Sequence, residues 1–93
     1  MLAVNSYFDD KVKSISFQGE SLPATVGVIT CGEYTFGTSQ DETMSVISGT
    51  LSVQLPDTTQ WRDYAAGESF EVAANKEFSV KASGDVAYLC TYA

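Results

Sequence analysis

Short β-favouring runs recur between turn signals along the chain, and no stretch carries the 3.6-residue apolar period of a useful helix. Lys11 to Phe17 alternates, with Val12, Ser14 and Ser16 on one side and Lys13, Ile15 and Phe17 on the other. Further runs cover Ala24 to Cys31, Glu33 to Phe36, Met44 to Ile47, Thr50 to Leu55, Ser69 to Val72, Glu77 to Lys81 and Val86 to Tyr92. Ser21-Leu22-Pro23, Gly32, Ser48-Gly49, Gly67, Asn75-Lys76 and Ser83-Gly84-Asp85 punctuate them. Thr38 to Thr43 reads as a polar loop, and Pro56-Asp57 opens a second loop that holds Trp61 and Arg62. About eight strands at this spacing predict an antiparallel barrel or sandwich. With 93 residues there is room for one domain, spanning 1–93, and no repeat or linker divides it.

Charge and residue usage exclude several classes of function. Twelve acids against five bases give a net charge of −7, which repels nucleic acid. A single small phosphate stays possible, because one or two well-placed donors suffice for it. There is no histidine, so the commonest metal ligand and the commonest neutral-pH base are both missing. The start Met-Leu-Ala-Val has no basic n-region, and no apolar run approaches the roughly 20 residues needed to span a bilayer. A cytoplasmic protein with Cys31 and Cys90 as reduced, buried thiols is the expectation.

Two half-motifs then narrow the fold. Glu42 to Gly49 is similar to the E-x6-G half of the first cupin signature, which puts its two histidine slots at Phe36 and Thr38. The second signature lies over Gly67 to Ala82, with Ala73 for the proline, Asn75 for the turn glycine and Phe78 in the third histidine slot. Residues two apart on a strand share a face, so slots 36 and 38 point into a barrel and slot 78 faces them. A cupin-like antiparallel β-barrel of the jelly-roll type is therefore expected. Its metal slots hold Phe36, Thr38, Phe78 and Glu42, and one carboxylate without nitrogen ligands holds no transition metal tightly. No metal or other cofactor is expected.

The whole chain resembles the pyrimidine/purine nucleoside phosphorylase family of small cupin-like proteins. The resemblance runs through Lys11-Val12-Lys13-Ser14-Ile15, Val26-Gly27-Val28, Gly32 to Phe36, Glu42, Val46 to Gly49, Leu55-Pro56-Asp57, Trp61, Tyr64, Gly67, Phe70, Phe78 and Tyr88-Leu89-Cys90 with Tyr92. It implies phosphorolysis of many nucleosides to free base and ribose 1-phosphate, with inorganic phosphate as co-substrate, by a homodimer. Relatives can carry a basic residue in the Cys-x-Tyr segment, where Thr91 stands here. If that base anchors phosphate, this chain needs another donor.

Phosphorolysis must place phosphate against C1′, hold the ribose hydroxyls and stabilise the departing base. Strand parity groups Tyr34, Phe36 and Thr38 on one face, opposite Phe78, with Tyr88, Cys90 and Tyr92 together on the last strand. Phe36 and Phe78 would sandwich a base, against the plainer reading of core aromatics. Glu42 would accept ribose hydroxyls or, in apolar surroundings, protonate the base; otherwise it is a loop carboxylate. Thr35 and Thr38 offer hydroxyls to phosphate or ribose but also simply favour strands. Tyr88 and Tyr92 offer hydroxyls inside the barrel. Arg62, the sole arginine, suits phosphate, a partner subunit or solvent. Lys11, Lys13, Lys76 and Lys81 read as solvated, with Lys76 nearest the rim. The competing functions are a non-catalytic cupin that binds a sugar or nucleoside, and a structural partner-binding domain with a filled interior.

Overall fold

In the computed structural model, which describes residues 2–93, the β-rich runs become ten strands and no helix forms among these residues. They are β1 (Ala3–Tyr7), β2 (Val12–Gln18), β3 (Pro23–Ile29), β4 (Gly32–Gly37), β5 (Glu42–Ser48), β6 (Thr50–Gln54), β7 (Arg62–Ala65), β8 (Ser69–Val72), β9 (Glu77–Ala82) and β10 (Val86–Tyr92). One antiparallel sheet runs β1-β2-β3-β10-β5-β8 and a second runs β4-β9-β6-β7. The all-β class is as expected. The closed barrel is not: the sheets keep separate hydrogen-bonded ladders, with β1 and β8 at the edges of one and β4 and β7 at the edges of the other.

Two strands lie where the sequence suggested none. β1 was masked by its polar centre, Asn5-Ser6, and it survives by pairing along its whole length with β2. β7 falls inside the expected Trp61-Arg62 loop because Tyr64 reaches the core while Arg62 and Asp63 face solvent. β5 also starts earlier than expected, so Glu42 is a strand residue paired with Tyr92 on one side and Val72 on the other. That pairing matters, since it fixes which way Glu42 points.

From β3 onward the chain repeatedly changes sheets, and the crossings need particular residues. Gly49 joins β5 of the large sheet to β6 of the small one at a φ of 87°. A Cβ there would meet the Asp85 carbonyl oxygen at 2.8 Å and Val86 Cγ2 at 3.2 Å. Asn75 takes the expected left-handed turn, at a φ of 61°. The core between the sheets draws Ile29, Val46, Phe70 and Val86 from one side and Leu51, Val53, Phe78 and Val80 from the other.

The large sheet is dressed in an unusual way. On β2 the inward residues are Val12, Ser14 and Ser16, while Ile15 and Phe17 face out. Val4 on β1, Val26 and Val28 on β3 and Ile47 on β5 extend that outward apolar face to three more strands of the sheet and are all exposed. Polar groups inside and apolar ones outside invert the usual rule. Gly49→Ala is expected to lower unfolding free energy by about 1–3 kcal/mol in urea titration, because its φ and its crowding both oppose a side chain.

Candidate functional site

Ser14 and several other inward polar residues of the large sheet line a cavity of about 360 Å³ that opens between the sheets. Its floor is the large sheet: Ser14 from β2, Glu42 and Met44 from β5, and Tyr88, Cys90 and Tyr92 from β10. Phe36 and Gly37 of β4 and Phe78 of β9 form the opposite wall, and Tyr7 and Phe8 of the β1–β2 hairpin stand at one side. That volume suits a small organic ligand.

Strand register explains the floor. β10 lies between β3 and β5, so its inward residues Tyr88, Cys90 and Tyr92 meet Gly27, Thr25, Met44 and Glu42 as direct or near neighbours. Ser14, Gly27 and Tyr88 fall in one row across β2, β3 and β10. A Cβ on Gly27 would lie 2.7 Å from the Tyr88 hydroxyl oxygen and 2.6 Å from the Lys13 carbonyl oxygen. The missing side chain is thus what lets the phenol lie down over β3 toward Ser14.

The ionisable groups act on one another. Cys90 is buried, and its Sγ lies 3.5 Å from Glu42 Oε1, the thiol donating. The Tyr92 hydroxyl is 3.0 Å from Thr25 Oγ1. Burial pushes the Glu42 carboxyl above its ordinary range, and the Cys90 hydrogen bond opposes that only in part. Burial, then the Glu42 charge, pushes the Cys90 thiol up to about 12. Tyr88 also rises to about 12, mainly by burial, with the Ser14 hydrogen bond opposing; Tyr92 rises for the same first reason, opposed by Thr25. Every hydroxyl and thiol on the floor therefore stays protonated at neutral pH and able to donate.

Five of the eight residues singled out from sequence meet here: Glu42, Phe36, Phe78, Tyr88 and Tyr92. Three do not. The Tyr34 ring is buried behind the wall and its hydroxyl donates to backbone, with the Cys31 carbonyl at 3.1 Å and that of Thr30 at 3.2 Å. Thr38 donates to the Ala73 carbonyl at 2.7 Å and accepts from the Lys76 amide at 3.0 Å, so it fastens two loops together. Arg62 is exposed on β7, its guanidinium 4.9 Å from the Tyr64 ring, and does not line the cavity. Lys76 is outside too, 3.5 Å from Asp57 Oδ2.

Other expectations need correction. Phe36 and Phe78 stack on each other, centroids 5.7 Å apart. A base between them would need roughly 7 Å, two contact layers of ~3.5 Å, so they form a wall and no sandwich. Thr35 borders the cavity, but its hydroxyl is engaged 2.9 Å from that of Ser79. Cys31 is a free thiol as expected but exposed, not buried. Thr91 alternates with Cys90 and Tyr92, so a basic side chain there would leave from the opposite face of β10. Ser14, Met44, Tyr7, Phe8 and Cys90 joined the site without having been singled out as ligand contacts; only the alternation Val12-Ser14-Ser16 hinted at a polar inner face.

A cupin metal does not fit these residues. Phe36 and Phe78 present carbon, Thr38 is committed to backbone, and Glu42 is left alone. Among the described residues no group of three or more His, Cys, Asp or Glu gathers.

Comparison with known proteins gives a consistent picture. Residues 2–92 match the family model described as pyrimidine/purine nucleoside phosphorylase. A protein of that name from Marinobacter nauticus is 60% identical over 92 residues, covering 99% of both chains. One from Magnetococcus marinus is also 60% identical over 99% of both. Among solved structures, a Vibrio parahaemolyticus protein of unknown function has a TM-score of 0.95 at 41% identity, covering 100% of this chain and 99% of that one. An RmlC-like cupin from Shewanella frigidimarina, 15% identical, has a TM-score of 0.77 over 98% of this chain and 82% of that one, which speaks to fold alone.

The raised Glu42 pKa has a sign that can be tested. An acid whose folded value exceeds its unfolded value favours the fold while protonated and loses that contribution as pH rises through the folded value. Glu42→Gln is therefore expected to melt above the parent at neutral pH, with the difference vanishing toward pH 4. Thermal melts across that range check it; an unchanged difference would contradict the burial of the carboxyl.

Proposed function

The chain belongs to the pyrimidine/purine nucleoside phosphorylase family, and from that premise we propose that it cleaves purine and pyrimidine nucleosides with inorganic phosphate. The products would be free base and ribose 1-phosphate, with broad tolerance of the base and no metal. One observation carries the proposal. A half-buried carboxyl with a raised pKa sits on a floor of protonated hydroxyls, facing an aromatic wall, in a cavity of ligand size.

The chemistry follows from charge. As the C1′–N bond breaks, its electron pair goes to the base, and a phosphate oxygen forms the new bond to C1′. Glu42 delivers its proton to the departing base and ends as a carboxylate, which takes a proton back from solvent. Tyr88, Tyr92 and Ser14 supply neutral donors for phosphate and ribose oxygens. No lysine or arginine is among the residues lining the cavity, so a Glu42 that enters the reaction protonated would also spare phosphate a repulsion. Stacking on carbon-rich rings reads no base edge, which suits broad tolerance. Neither the wall nor the lone carboxyl offers a metal a ligand set, and the two free cysteines suit a reducing cytoplasm.

We propose further that the working form is a homodimer joined through the outer face of the large sheet. Val4, Ile15, Val26, Val28 and Ile47 are exposed there. Outward strand positions of that sheet carry one base, Lys13, and one acid, Glu71, in a chain with twelve acids. A second copy is a surface of that same kind.

Two tests follow. Purified protein with uridine or adenosine and phosphate should release free base; Glu42→Gln should lower kcat by about 10²-fold or more with KM little changed. Parent activity should fall as pH rises through the Glu42 value, since the acid must be protonated. Saturable nucleoside binding without phosphate-dependent release would instead make the chain a binding cupin. Separately, Val26→Asp is expected to shift sedimentation from dimer to monomer; an unchanged species would place the interface elsewhere.

A further inference from the structure

We infer that Phe8, at the tip of the β1–β2 hairpin, is the surface on which the nucleobase of a substrate stacks, an assignment that rests on the nucleoside reading above. Three consecutive residues in that tip have left-handed backbone, Phe8 at a φ of 55°, Asp9 at 56° and Asp10 at 67°. Aspartate visits that region readily, because its short polar side chain bonds locally. A bulky aromatic does so at a cost, and strained residues of this sort cluster at ligand sites. A small polar residue would close the same turn without strain.

What the strain achieves is placement. The Phe8 ring rests 5.0 Å from the Tyr34 ring and meets Phe36 edge-on at 5.5 Å, so core aromatics hold it still. Yet Phe8 remains 42% exposed while lining the cavity. Phe36 and Phe78, the rings first suggested by sequence, occupy each other at 5.7 Å, and Phe78 also meets Phe70 at 5.9 Å. Phe8 is thus the outermost member of an aromatic series running from Tyr64 and Phe70 through Phe78 and Phe36 to the cavity mouth, and it keeps open surface. A base on Phe8 would leave its sugar directed inward, toward the hydroxyls of Tyr88 and Tyr92 and the Glu42 carboxyl. No edge contact to the base is required, so both purines and pyrimidines are accepted.

Phe8→Leu removes the π face but keeps an apolar cover over Phe36; Phe8→Trp enlarges the face. Calorimetric titration with adenosine and uridine, without phosphate, reads binding apart from turnover. Steady-state assays with phosphate read the rest. Phe8→Leu is expected to weaken nucleoside binding roughly tenfold, more for adenosine than uridine, with kcat and the phosphate KM near parent values. Phe8→Trp is expected to bind as tightly as the parent or tighter. Parent-like nucleoside affinity in Phe8→Leu would overturn the assignment, and so would equal losses of phosphate and nucleoside affinity. If the parent binds nucleosides without turning them over and Phe8→Leu binds weakly, the stacking role stands and the phosphorylase reading falls. If the parent binds neither nucleoside, both fall.

Discussion

Strand β10 is the constraint from which the rest of the molecule follows. It is hydrogen-bonded on both sides, to β3 and to β5, and cannot slip by one residue without turning Tyr88, Cys90 and Tyr92 away from the small sheet. Those three side chains, with Glu42 paired across from Tyr92, make the cavity floor. Gly27 completes it by leaving the space into which Tyr88 folds. A polar floor would be costly in an ordinary sandwich core, but here no buried side-chain nitrogen or oxygen among the described residues lacks a partner.

The inverted dressing of the large sheet then has a single physical explanation. Inward Ser14 lines the cavity, where the proposed nucleoside would bring its own hydrogen-bonding groups, and outward Ile15, Val26 and Val28 would meet the apolar surface of the proposed second copy. A sheet that faced plain core on one side and water on the other would show the opposite pattern. Both departures point to partners, one small and one large.

Much of this was legible in the amino-acid order, and the failures have causes. Eight strands and the turns at Gly49, Gly67 and Asn75 followed from alternation and punctuation, which are local signals. β1 and β7 were missed because pairing and one buried tyrosine, not propensity, make them strands. Parity grouped Tyr88, Cys90 and Tyr92 correctly. It failed for Thr38, which lies just beyond the end of β4, where alternation no longer sets direction and a backbone carbonyl claims the hydroxyl. Phe8 was invisible: nothing local says that a hairpin tip returns to a cavity. The absence of histidine is what turns the proposed proton-donor role to a carboxylic acid.

The central claim is that Glu42 is a partly buried acid inside a nucleoside cavity, and carbon NMR of its labelled side-chain carboxyl tests that most directly. The account requires a titration midpoint above the ordinary glutamate range, and a further displacement when uridine is added. A midpoint within the ordinary glutamate range, indifferent to nucleoside, would contradict it.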